Sequence, residues 1–409
     1  MTMAATLRTS TGRSRALCAV LAASALTLGC TPGSAESGPR PENPAADAPV
    51  SAVTPTPVST STTLPPTPGA PACGQGDALL ASMSTRDKLA QLLMVGVTGA
   101  ADATAVVDQH HVGGIMIGSW TDLSMLNDGT IPALAGTSAP LPPAVSVDEE
   151  GGRVSRLKSM IGVQPSPRVL AQNNTPAQVR DIAFARGQAM RGLGITVDFA
   201  PVVDVTTESD DEVIGDRSFG SDPAQVAEYA GAYAQGLRDA GVLPVLKHFP
   251  GHGSASGDSH VGGVVTPSIG DLQSSDLIPY RTLTTQAPVA VMVGHMQVPG
   301  LTGSDPASLS PAAYALLRSG GYGGPPFNGI VYTDDLSSMG AINQRYGVAE
   351  AVLRSLQAGA DVALWITTGE VPAVLDRLES AVNAGELDMS RVDGSVLRIS
   401  GTKGPSPRC

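Results

Sequence analysis

The sequence predicts an α/β protein, a single (β/α)8 TIM-type barrel preceded by a signal segment and a disordered linker. Short apolar runs alternate with amphipathic helical stretches about eight times beyond residue 73. Charged clusters follow these runs on their C-terminal side, where a parallel α/β fold collects its chemistry. The alternative is a doubly wound open sheet. However, the first apolar run is not followed by Gly-x-Gly-x-x-Gly, and the glycine-rich stretch Gly251 to Gly257 contains no Gly-Lys-Ser/Thr. Neither nucleotide-binding reading survives.

The chain has 409 residues, and its hydrophobic share of 42% is enough for a large core. Only 3% is aromatic, so that core is built from Ala, Val, Leu and Ile. A net charge of −12 disfavours nucleic acid and anionic membrane surfaces as partners. Arg8, Arg13 and Arg15 precede an uncharged apolar run from Ala16 to Leu28, the pattern of a secretory signal over residues 1–29. Gly29-Cys30 then resembles a bacterial lipoprotein cleavage box, with Cys30 as the lipidation site. Ordinary secretion is the alternative, because Thr27 and Leu28 depart from the usual box. Residues 30–72 are nearly all Pro, Ala, Ser, Thr or Gly and are expected to form a disordered tether. The folded unit then spans 73–409, exported and membrane-bound only through the lipid.

Within that unit, a helical segment around Asp87, Lys88 and Leu89 leads into a first strand, Leu92 to Val97. Further strands are expected at Val112 to Ile117, Ala144 to Val147, Thr196 to Val205, Val242 to Leu246, Val289 to Val293, Ile330 to Thr333 and Val362 to Ile366. The clearest helices are Pro176 to Leu193, Pro223 to Ala240 and Val348 to Ala358. Thr175 and Asp222 stand before the first two as N-caps, each followed by Pro. With Cys18 lost with the signal and Cys30 lipidated, Cys73 and Cys409 remain as an even pair in an oxidising compartment, so a disulfide between them is expected.

The residues after these strands carry the chemistry. Asp148-Glu149-Glu150-Gly151-Gly152-Arg153 follows the third, and Asp204 and later Gly215-Asp216-Arg217 the fourth. Lys247-His248 and the loop to His260 follow the fifth, His295 the sixth, and Asp334-Asp335 the seventh. Three of the six histidines fall between Lys247 and His260. Asp334 is delivered to the barrel mouth by an apolar strand, where a carboxylate can serve as nucleophile or electrostatic stabiliser. Asp335 points the other way if the pleat persists and is expected to cap the next helix. In Asp258-Ser259-His260, a carboxylate two residues from an imidazole can fix the ring's tautomer and leave its other nitrogen free to exchange a proton. A zinc site of His248, His252, Asp258 and His260 is the rival reading, but no helical His-Glu-x-x-His or cysteine spacing supports it, and no metal or other cofactor is expected.

Three motifs together resemble the β-N-acetylglucosaminidases of glycoside hydrolase family 3. They are Lys247-His248-Phe249-Pro250-Gly251-His252-Gly253 with Asp258-Ser259-His260, Val147 to Arg156, and Thr333-Asp334-Asp335-Leu336. The resemblance spans roughly the whole folded part. It implies a (β/α)8 barrel that releases terminal N-acetylglucosamine with retention, Asp334 as nucleophile, His260 as acid/base and Asp258 as its partner. It also implies that Asp148, Arg156, Arg217, Lys247 and His248 bind sugar hydroxyls. Glu149 stands where the family usually has Gln, which puts the neighbouring contact in doubt, and the second α/β domain of many members is missing. An imidazole in place of an acid carboxylate suits a negatively charged substrate, such as a cell-wall fragment bearing a lactyl carboxylate on its muramic residue. The expected partner is therefore a small glycan, an N-acetylglucosaminyl-muramic acid fragment. The competing functions are a phosphorylase using phosphate as nucleophile, a β-glucosidase, and a tethered sugar-binding lipoprotein without catalysis.

Overall fold

The computed structural model describes residues 76–137 and 139–403. The signal, the tether, Cys30, Cys73 and Cys409 lie outside the described residues. Eight parallel strands form the barrel: β1 (Leu93–Val97), β2 (Gly114–Ile117), β3 (Ala144–Val147), β4 (Val197–Asp198), β5 (Leu243–Phe249), β6 (Ala290–Val293), β7 (Val331–Thr333) and β8 (Ala363–Trp365). Neighbours in the sheet are neighbours in sequence. The ring closes where β1 pairs with β8, Leu93 opposite Ala363, and where β7 meets β8 through a Tyr332–Val362 bridge. Outside lie α1 (Ala100–His110), α2 (Thr130–Ala135), α3 (Pro176–Gly192), α4 (Pro223–Asp239), α5 (Leu277–Leu283), α6 (Pro311–Ser319), α7 (Val348–Ala358) and α8 (Val371–Asn383). Thr175 caps α3 with a full capping box to Gln178, and Asp222 caps α4 through the N–H of Ala224.

Side-chain contacts across the ring show which strand positions face inward. The Ser146 hydroxyl of β3 lies 3.0 Å from the sulfur of Met94 on β1, and the rings of Phe199 and Tyr332 meet edge to face at 5.5 Å. Paired residues in a parallel ladder share a face, so Met116 opposite Ser146, Leu364 opposite Met94 and Met292 opposite Tyr332 also point into the barrel. Alternation then carries the inward face from Ser146 to Asp148 and Glu150, and from Tyr332 to Asp334. The interior below is filled by side chains, so the mouth is the place left for a ligand.

Two strands differ from expectation. The fourth is confined to Val197–Asp198 instead of Thr196 to Val205, because Ala200–Pro201 follows at once and proline has no N–H to give to the ladder. The fifth is longer than Val242 to Leu246: it runs through Phe249, so Lys247 and His248 belong to the strand and do not follow it. The other strands are shorter by one or two residues at their ends or agree.

At the opposite end of the barrel, Asp361 fastens helices to strands. Its fully buried carboxylate accepts from the N–H of Val331 (2.9 Å), Arg318 (2.6 Å), the Ser395 hydroxyl (2.7 Å) and Arg398 (2.9 Å). Asp361→Ala would leave two guanidinium groups facing an empty site, at a cost of about 3–5 kcal/mol. Urea unfolding should show the loss as a lowered midpoint with an unchanged slope.

Candidate active site

The mouth is organised by a row of alternating charges. The Lys247 ammonium donates to Asp148 (2.6 Å) and Glu150 (2.7 Å), and Arg217 grips Glu150 with two parallel bonds of 2.8 Å. Burial would raise the Glu150 carboxyl, but Arg217 and Lys247 outweigh it and hold the group well below the usual range. Burial would likewise lower the Lys247 ammonium, but Asp148 and Glu150 raise it. Both groups therefore stay charged at neutral pH. Lys247 and His248, joined by a cis peptide, both turn into the mouth.

Asp204 fixes the two histidines at the strand end. Its carboxylate, fully buried, accepts from the Nδ1 of His248 (2.7 Å) and from the backbone N–H of His248 (3.1 Å) and His252 (2.8 Å). This leaves the Nε2 of His248 facing Arg217 at 3.5 Å. His252 is buried, its imidazole pushed down to about 4 by burial and by His248, and its Nε2 meets the Ser259 hydroxyl at 3.2 Å. Gly251 has φ +140°, and a Cβ there would fall 2.3 Å from that of Asp276. That is why the turn after the strand needs glycine.

Asp334 stands at the end of β7, its N–H bonded to the carbonyl of Val293 (3.1 Å) and its Oδ1 accepting from the N–H of Asp335 (2.9 Å). Burial alone would raise this carboxyl. His295, His248 and Lys247 overcome that and hold it at about 2, so it is ionised at neutral pH. His295 is itself fixed: Nε2–H donates to the Asp335 carbonyl and Nδ1 accepts from the Ser308 hydroxyl, each at 2.7 Å. The Asp335 side chain turns away and caps the turn at Ser337 and Ser338 through their N–H groups at 2.8 and 3.1 Å.

The Asp258 carboxylate accepts from the Nδ1 of His260 at 2.7 Å and from its backbone N–H at 2.9 Å. The ring is exposed, and its Nε2 is left for proton exchange. This loop is tied to the segment after β7, with Gly340 N–H on the His260 carbonyl (3.0 Å), Ala341 N–H on that of Ser259 (3.2 Å) and the Gln344 amide on that of Val261 (2.9 Å). Proton-exchange group and carboxylate thus hang on the same stretch of chain.

Arg156 differs from the other cations. Its guanidinium is in no ion pair among the described residues, and its Nε is buried without a hydrogen-bond partner. Its backbone is held by Glu149, which is fully buried, bonds the N–H groups of Arg156 and Leu157 at 2.8 Å each, and pairs with Arg186 of α3. The Glu149 carboxylate is therefore matched by a buried arginine. Arg217, by contrast, is committed to Glu150. The sequence assigned no role to Glu150, Asp204 or His295. The signal for Glu150 was its spacing of two from Asp148, which puts both on the inward face. Of the rival metal set, His248 is bonded to Asp204 and His252 to Ser259 while Asp258 and His260 bond each other, and among the described residues no three His, Cys, Asp or Glu side chains converge as a metal site.

A Cβ on Gly340 would lie 2.4 Å from the carbonyl oxygen of Val261, closer than any real contact allows. Gly340→Ala should therefore push the Asp258–His260 loop off its support while leaving the barrel intact. Amide hydrogen exchange at 261–262 and 340–341 is expected to quicken roughly tenfold or more, with exchange in the strands unchanged.

The glycosyl hydrolase family 3 N-terminal domain matches residues 84–401. The β-hexosaminidase LpqI of Mycobacterium tuberculosis is 62% identical over 397 residues, 97% of this chain and 98% of that protein. Among solved structures, a family 3 glycosyl hydrolase from Mycobacterium smegmatis shares 75% identity with a TM-score of 0.79, covering 80% of this chain and 99% of that one. A family 3 β-N-acetylglucosaminidase from a Paenibacillus species shares 32% with a TM-score of 0.73, covering 78% and 62%. With its mouth of paired charges and ionised carboxylate on an eight-stranded barrel, the chain belongs to glycosyl hydrolase family 3.

Proposed function

We propose that the protein is a retaining exo-β-N-acetylglucosaminidase that releases terminal N-acetylglucosamine from cell-wall fragments. The observation that carries this is the pairing of an ionised Asp334 at a strand mouth with a carboxylate-oriented His260 on a loop bonded to the chain just beyond it. The β-hexosaminidase name of the Mycobacterium tuberculosis relative supports the sugar class. An Oδ of Asp334 attacks the anomeric carbon as the glycosidic C–O bond breaks, and the Nε2–H of His260 passes its proton to the departing oxygen. Water then attacks the glycosyl-enzyme, losing its proton to His260 while the carboxylate leaves. Asp258 steadies the imidazolium that exists before the first step and is regenerated by the second, and it holds the neutral ring in place in between. Asp148, Lys247, His248 and Arg156 bind the hydroxyls of the terminal sugar, and Arg217 acts beside them through Glu150 and His248. A neutral or cationic acid group tolerates an anionic leaving group that a carboxylate would repel, which favours a muramic residue.

In the same reading, residues 1–29 are a signal, 30–72 a tether lipidated at Cys30, and 73–409 the catalytic unit, exported to face the cell wall. Gly76 packs on Leu397 of the last helix, close to both Cys73 and Cys409 in sequence, which supports a disulfide between them.

Asp334→Asn should abolish glycosylation with little change in unfolding midpoint, a barrier increase of several kcal/mol. Trapping the native enzyme with a fluorinated sugar and mapping the labelled peptide checks the assignment; a label on Asp335 or any Glu would refute it. His260→Ala should retain the first step only on nitrophenyl glycosides, whose leaving group barely needs a proton, and should accumulate glycosyl-enzyme after a burst. Azide should restore turnover and give the β-azide. Equal loss on every substrate without a burst would remove His260 from the acid/base role, and a sugar phosphate formed in the presence of phosphate would replace hydrolysis by phosphorolysis.

A further inference from the structure

The inward face of β2 ends in an aromatic ring. Met116 points into the barrel with its partner Ser146, and the next inward position is Gly118, one step beyond the strand at the mouth. A Cβ on Gly118 would fall 2.4–2.5 Å from Cη2, Cζ2 and Cε2 of Trp120. The indole therefore fills the space that an inward side chain of residue 118 would occupy, on the strand next to the one that delivers Asp148. It is 40% exposed, whereas Trp365, the other tryptophan of the chain, is fully buried. The turn that carries it is fixed: the Thr121 hydroxyl donates to the carbonyl of Val97 (2.6 Å) and accepts from the N–H of Gly118 (3.0 Å), and the N–H of Asp122 bonds the carbonyl of Thr98 (2.9 Å).

A rigid, solvent-facing indole at the rim of a polar site is neither core nor random surface. The groups suited to hydroxyls, Asp148, Lys247 and His248, come from β3 and β5 and are largely buried, whereas Trp120 stands at the edge and offers a flat apolar face. We propose that Trp120 is the stacking platform for the second pyranose of the substrate, the leaving-group sugar, whose C–H face packs on the indole. This rests on the glycosidase reading and adds to it a determinant of leaving-group preference. The ring contributes apolar area without rotamer freedom to lose, so its effect falls on substrates that have a second ring to stack.

The test compares methyl β-N-acetylglucosaminide with N,N′-diacetylchitobiose on the full chain. Trp120→Ala is expected to lower kcat/KM for the disaccharide roughly tenfold, mostly through KM, and to leave the methyl glycoside within about twofold. Trp120→Phe should recover most of the loss. A second measurement needs no turnover: a sulfur-linked, non-hydrolysable chitobiose should shift the tryptophan fluorescence of the native protein, and the shift should vanish in Trp120→Phe. Equal losses on both substrates, no loss on either, or a shift that persists in Trp120→Phe would overturn the proposal. Should the native protein cleave neither substrate, the glycosidase reading fails, and the fluorescence titration still decides whether Trp120 binds the disaccharide.

Discussion

Glu150 is the charge on which the mouth depends. A carboxylate with no exposure is tolerable only if its partners are complete, and here Arg217 supplies two hydrogen bonds while Lys247 supplies a third. The three residues come from the hairpin after β3, the long connection after β4 and the strand β5. Satisfying one buried charge therefore draws three separate parts of the chain together. Lys247 is shared with Asp148, so the exposed edge of the network presents a carboxylate whose position is set from below. Geometry of this kind keeps polar groups in register without needing a loop to close on the ligand.

A second layer supports the first. Glu149 points the other way from its neighbours, into the helix layer, and binds the backbone that presents Arg156. Arg186, on α3, neutralises it and also holds the carbonyls of Ile161 and Gly162 at 3.0 and 2.8 Å. Adjacent residues in Asp148-Glu149-Glu150 thus serve the site from opposite faces of one strand extension. Among the described residues Arg156 is left without an ion-pair partner, and its buried Nε has no hydrogen-bond partner.

The two groups central to the proposed chemistry occupy contrasting environments. Asp334 is partly buried among His295, His248 and Lys247 and is kept ionised. His260 is exposed, and among the described residues its ion-pair partner is Asp258. An ionised carboxylate set among cationic and imidazole groups and an exposed imidazole oriented by a carboxylate are separate tools, and the separation comes from environment. The loop bonds to Gly340 and Ala341 keep them from drifting apart.

The barrel, its eight strands and the rim location of Asp148, Asp334 and the Asp258–His260 pair were legible in the sequence. Each depends on local signals: short continuous apolar runs, capping residues before Pro176 and Pro223, and a carboxylate two residues from an imidazole. The end of the fifth strand was not legible, because Lys247 and His248 look like loop residues until their partners on other strands are in place. Nor could the sequence separate Arg217, which is spent on Glu150, from Arg156, which is in no ion pair among the described residues, since both are arginines after a strand. Those assignments depend on contacts between residues about 30 to 100 positions apart, and only closure of the ring brings them within hydrogen-bonding reach. The same holds for Trp120: its ring faces the mouth because Gly118 has no side chain, a fact that acquires meaning only once the inward face of β2 is known.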